Sequence, residues 1–220
     1  MPRQMPPYAA WFQQRVDEAI RIARAGDLVI ASNPVGTPLR REWHFSRVEL
    51  LYELAYLRIF LEWETYLQET FVRYLCGYRS ARGMCAPIAG TQYRADLSSA
   101  ESDVLRGRDY VLWHDPAKII ARAQNFFAAS FYDTVIASNT SRLAQLAAIR
   151  HRIAHGQENA RAKFDAATIG IVGKRYRGAR PGRFLRDWDS SVHPPMRWLE
   201  SLGSEFVQMA NQIGHLDLPV

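Results

Sequence analysis

Cysteine is nearly missing from this chain of 220 residues: Cys76 and Cys85 are the two present. They are too few for a disulfide framework or a four-thiolate metal site and read as free thiols. No stretch comes near the ~18 uninterrupted apolar residues of a membrane helix, so no membrane partner is expected. The opening Met1-Pro2-Arg3-Gln4-Met5-Pro6-Pro7 lacks the apolar core of a secretory leader, and the expectation is a cytoplasmic protein. Internal repeats and low-complexity tracts are absent too. What remains is an ordinary globular balance, 48% apolar and 23% charged. That suits one domain over residues 1–220, with residues 1–44 a helix-and-loop extension and 45–215 a bundle.

Lysine is also scarce. Of 28 basic residues, all but Lys118, Lys163 and Lys174 are arginine. The net charge of +6 is mild, but its distribution is uneven. Between Thr140 and Arg186 eleven bases face two acids, Glu158 and Asp165, for a local +9. Arginine excess accompanies GC-rich coding, and it also suits bidentate contact with phosphate. RNA, DNA or a nucleotide is the partner class this charge points to.

The hydrophobic pattern is helical. From Ser46, an N-cap candidate with Glu49 three residues on, to Leu75 there is neither Gly nor Pro. Val48, Tyr52, Ala55, Tyr56, Ile59, Phe60, Trp63, Tyr66, Leu67 and Phe71 recur at helical spacing, which predicts a helix of about 30 residues. Others are predicted over 8–25 with Gly26 as its stop, from Asp115-Pro116 to about Phe127, and from Ser138 or Thr140 to Gly156. The last runs from Pro194-Pro195 to about Ile213. Residues 27–41 read as loop. Thr168–Leu185, with Gly170, Gly173, Gly178, Pro181 and Gly182, read as a basic loop or short hairpin. The fold class is all-α, a bundle of four to six helices.

The segment Arg150-His151-Arg152-Ile153-Ala154-His155-Gly156 carries the chemistry. Two histidines four apart share a helix face, which admits a zinc pair. Zinc proteases of the His-Glu-x-x-His type need a Glu after the first His, and here Arg152 stands there, unable to take a proton. The other reading pairs Arg150 with His155. A neutral histidine takes the 2′-OH proton of RNA, the oxygen attacks the adjacent phosphate, and an arginine holds the charge that develops. The products are a 2′,3′-cyclic phosphate and a 5′-OH. No metal or other cofactor is required. The plainest alternative for His155-Gly156 is a helix C-cap.

Arg150, a polar residue and then His155-Gly156 on a late helix of an all-α chain resembles the HEPN superfamily (higher eukaryotes and prokaryotes nucleotide-binding domains). Glu62-Trp63-Glu64 in the long helix is similar to a Trp-Glu segment of several HEPN subgroups. Phe184-Leu185 before a terminal helix is similar as well. The likeness spans about residues 45–215. It implies a HEPN-like bundle and a homodimer whose Arg/His pairs meet at a composite site. It also implies metal-independent endoribonuclease activity, of the kind found in toxin–antitoxin and antiviral-defence systems, with an antitoxin or regulatory protein as a further partner. On that reading Arg150 and His155 are catalytic, and His151 stands where the family often has Asn or Asp. A non-catalytic module of the same fold, binding RNA, nucleotide or a protein, is the alternative.

Auxiliary positions are Glu64, either polarising the site or a surface acid, and Arg152, either solvated or a phosphate contact. Lys174, Arg175, Arg177, Arg180 and Arg183, interleaved with Tyr176 and glycines, are the candidate RNA-binding residues, a phosphate-gripping loop. His44, His114, His193 and His215 show no constellation. Asp187 and Asp189 read as loop acids.

Overall fold

The computed structural model describes residues 3–128 and 131–215, with Phe131 described in its backbone only. The fold is mostly helical. In chain order the elements are α1 (Tyr8–Ser32), α2 (Pro38–Glu42), α3 (Phe45–Leu75), α4 (Leu97–Leu105), α5 (Pro116–Phe126), α6 (Phe131–Ser138), α7 (Thr140–Ala154), α8 (Glu158–Val172), α9 (Pro181–Arg186), β1 (Trp188–Asp189), β2 (Met196–Arg197) and α10 (Trp198–His215). Ten helices among the described residues replace the four to six expected. The short α2 and α9 each open on a proline whose fixed φ suits a first turn. No helix among the described residues is long and apolar enough to cross a membrane.

The chain divides into two compact units. The first comprises residues 1–12, 62–144 and 206–220. Its core is aromatic: Trp63, Tyr66, Phe71, Tyr74, Tyr132 and Phe206 are all at least 97% buried. The tyrosine hydroxyls find backbone carbonyls, as buried polar groups must. Tyr74 donates to Ile213 and Tyr132 to Leu67, each at 2.9 Å. These bonds tie α10 and α6 to α3.

The second unit comprises residues 13–61 and 145–205. Val16, Ala23, Val48, Ile59, Leu146, Ile149, Phe164, Phe184, Leu199 and Leu202 form its core. Asp27 organises one side, accepting from Tyr52 Oη at 2.6 Å and pairing with Arg186 Nε at 2.7 Å. Arg24 and Glu200 form a two-pronged ion pair, one prong 2.7 Å long. Two adjacent hydrogen bonds on one carboxylate fix the angle between α1 and α10 more firmly than one could.

Several boundaries differ from the sequence reading. α1 does not stop at Gly26 but continues to Ser32. A Cβ at Gly26 would meet Leu51 Cδ1 at 3.0 Å and Val48 Cγ1 at 3.3 Å, so this glycine admits α3 against α1 rather than capping a helix. The helical residues 27–32 and α2 occupy most of what read as loop. α3 starts one residue early, and His44 rather than Ser46 caps it: the His44 carbonyl accepts from Arg47 at 2.9 Å. α8 continues past Thr168 and Gly170 to Val172, where Gly173 at φ 71° closes it in the left-handed region. The loop expected over Thr168–Leu185 is therefore only residues 173–180, and no hairpin forms there. α10 begins at Trp198, not Pro194, because Met196–Arg197 pair antiparallel with Trp188–Asp189 first.

Candidate functional site

Within the second unit, Leu146 and Ile149 turn the inner face of α7 into the core, and the Leu146 carbonyl accepts from Tyr56 Oη at 2.9 Å. Anchored this way, the helix delivers Arg150 and His151 half-buried and His155 exposed, one residue past its last turn. His155 stays in helical register: its amide donates to the His151 carbonyl at 2.9 Å. The two imidazole rings consequently share a face, with centroids 4.6 Å apart and planes inclined by 52°.

The structure brings His151 and His155 together, whereas no hydrogen bond or ring contact joins Arg150 to His155 among the described residues. Residues five apart on a helix diverge by about 140° around the axis. Arg150 makes no hydrogen bond or ion pair among the described residues. Its guanidinium therefore keeps its charge available at a half-buried position.

Arg152 has a role that neither sequence reading anticipated. Its Nε donates to the Ala179 carbonyl at 3.1 Å and its Nη1 to the His155 carbonyl at 3.4 Å. One planar guanidinium thus ties the C-terminal end of α7 to the loop at 173–180. It positions His155 through the backbone.

The basic loop is tied down at several points. Lys174 pairs with Asp187 at 2.9 Å, Arg180 pairs with Glu49, and the Gly182 amide donates to Glu53 Oε1 at 2.9 Å. Tyr176, which read as part of a gripping loop, is buried, and its hydroxyl donates to Asp187 at 2.8 Å. Burial pushes the Asp187 carboxyl up, but the bonds from Lys174 and Tyr176 more than offset it and hold it below the usual carboxylate range. Burial raises the Glu53 carboxyl, opposed by the Gly182 amide. Arg175, Arg177 and Arg183 remain exposed, with no ion pair among the described residues. Of the five candidate RNA-binding residues, two are therefore engaged internally and three face solvent.

Glu64 lies in the first unit, where its Oε1 is 2.9 Å from His114 Nδ1. His114 had shown no partner in the sequence because fifty positions separate the two. Asp189 was missed as well. It is buried and accepts from Ser191 Oγ at 2.6 Å and Ser201 Oγ at 2.7 Å, holding the turn before α10. No group of three or more His, Cys, Asp or Glu among the described residues is placed to hold a metal ion. At the α7 terminus stand the guanidiniums of Arg150 and Arg152 and the imidazoles of His151 and His155, with the Glu53 carboxyl within electrostatic reach of Arg152. No protein-family model, curated protein or solved structure matches the chain.

Proposed function

We propose that this protein is a metal-independent endoribonuclease acting through Arg150, His155 and His151, in the manner its HEPN resemblance implies. The observation that carries the reading is the imidazole pair, 4.6 Å between centroids, on the same helix end as Arg150, which makes no ion pair among the described residues. Cleavage by 2′-OH attack needs one neutral imidazole to take a proton and one protonated imidazole to give a proton to the leaving 5′-oxygen. Adjacent rings at an exposed helix end supply both roles. The phosphorane carries an extra negative charge, which a guanidinium stabilises without proton exchange.

The divergence of Arg150 from the His face bears on oligomeric state. A homodimer in which one copy's Arg150 faces the other's His155 would complete the site, and such a pairing is self-complementary about a two-fold axis. RNA is the substrate in this reading, gripped by Arg175, Arg177 and Arg183. A toxin or antiviral effector, held in check by an antitoxin or regulatory protein, is the setting it implies.

The test uses purified protein and mixed RNA in EDTA. Wild type should cleave, leaving 2′,3′-cyclic phosphate ends. Arg150→Ala and His155→Ala should each lose about 10²-fold or more in rate while staying folded. Mixing the two inactive variants should restore part of the activity if the site is shared between copies. Loss of wild-type cleavage in EDTA would overturn the mechanism. RNA binding with no cleavage by wild type would assign the chain to the non-catalytic module instead.

A further inference from the structure

A second cationic cluster lies in the first unit, away in sequence from everything used above. Arg122 of α5 is half-buried and its guanidinium sits over the indole of Trp113, with Cζ 4.5 Å from the ring centroid. Its Nη1 is buried with no hydrogen-bond partner, and so is Nε1 of Trp113, a residue only 3% exposed. Arg106, the left-handed residue that ends α4, places its Cζ 5.5 Å from the Phe126 ring. Trp113 and Phe126 both pack on Phe71, at 5.4 and 5.9 Å between centroids, so the two guanidiniums rest on one aromatic patch. Arg108 follows on the same exposed turn, and Arg122 feels the charge of both Arg106 and Arg108.

Among the described residues no acid forms an ion pair with Arg106, Arg108 or Arg122. Asp103 is paired with Arg94, Glu64 with His114, and Asp115 caps α5 by accepting from Ala117 at 3.1 Å. Asp109, on the turn itself, makes no hydrogen bond or ion pair with any of the three arginines. A partly desolvated guanidinium beside two like charges is unfavourable unless an anion joins it. Burial lowers the Arg122 guanidinium from its usual range; Tyr132 opposes this, while Arg108 and Arg106 push the same way as burial.

We propose that Arg106, Arg108 and Arg122 form a binding site for a phosphate dianion, as inorganic phosphate or as the terminal phosphomonoester of a nucleotide. Guanidinium forks match phosphate oxygens in geometry, and three of them suit a doubly charged group better than a single carboxylate. The indole and Phe126 faces hold two of the forks in place before the ligand arrives. This proposal stands apart from the nuclease reading: none of its residues lies near Arg150 in the chain.

Calorimetric titration of the full-length protein tests it, at fixed ionic strength in chloride. Inorganic phosphate and adenosine 5′-monophosphate are the two probes. Saturable binding of one equivalent is expected, weakened about tenfold in Arg108→Gln and in Arg122→Gln, and unchanged in Arg21→Gln, which removes the same charge elsewhere. Tighter binding of the monophosphate would identify a nucleotide; equal affinities would identify the phosphate group alone. Should Arg122→Gln fail to fold, the exposed Arg106 and Arg108 variants decide. The proposal is overturned if neither probe saturates with wild type, or if the Arg108 variant binds as wild type does.

Discussion

The His151 and His155 rings stand 4.6 Å apart because the backbone bond between the same two residues, 2.9 Å long, carries helical register one residue beyond α7. A frayed terminus would let the exposed His155 wander. Arg152 limits that freedom by holding the His155 carbonyl and the Ala179 carbonyl together. Geometry at the candidate site therefore depends on a residue that need not touch substrate.

Replacing Arg152 with Ala should lower the cleavage rate by about tenfold with little change in KM, as loss of positioning does. It should also cost about 1–3 kcal/mol, the scale of hydrogen bonds from a charged group. Lysine cannot span both carbonyls, so Arg152→Lys should not rescue. Paired kinetics and urea melts decide this. A raised KM with kcat intact would make Arg152 a substrate contact instead.

The basic loop should separate into two classes of cation. Replacing Arg175 and Arg177 with Ala should flatten the salt dependence of RNA binding, by about 0.7 in log–log slope per lost phosphate contact on a single strand. Lys174→Ala removes the pair with Asp187 and should lower stability while leaving that slope alone. Filter binding across a salt series reads the first and chemical denaturation the second. Equal slopes in all variants would remove the loop from RNA recognition.

Asp187 makes stability depend on acid. Its folded-state pKa is depressed, so the native state binds this proton less readily than the unfolded chain does. The contribution is fully present above the ordinary carboxylate value, ~4, and disappears as pH falls through the lower folded value. Glu53, whose value is raised by burial, runs the other way and loses stability as pH rises past the ordinary range. Urea midpoints should therefore fall more steeply below that range in wild type than in Asp187→Asn. Parallel curves would show that Asp187 does not drive the acid limb.

Gly182 should tolerate no side chain. A Cβ there would fall inside the contact distance of the Glu49 carbonyl in α3, and backbone cannot swing aside as a side chain can. Gly182→Ala is expected to cost about 1–3 kcal/mol and to loosen the Arg180–Glu49 pair. Gly156→Ala, with open space around it, should be nearly neutral by the same measurement. Matching denaturation midpoints for both variants would contradict the packing described for α9 against α3.

The long α3 was legible because helical periodicity is local: its apolar positions repeat every three or four residues for the whole of its length. So was the end of α7, where the two histidines had to share a face at a spacing of four. Glycine was the misleading signal. Gly26 and Gly170 sit inside helices, because a missing side chain serves close packing as well as it serves a turn.

Local spacing alone determined that this chain is helical, that α3 carries the heaviest core residues, and that Arg150, His151 and His155 fall in one short stretch. The tertiary structure decided which cations keep their charge available. Arg180 is taken by Glu49 from 131 positions away and Arg186 by Asp27 from 159, whereas Arg175 and Arg177 remain exposed. Side chains so distant in sequence meet only after the backbone has folded, and no periodicity records which acid each base will find.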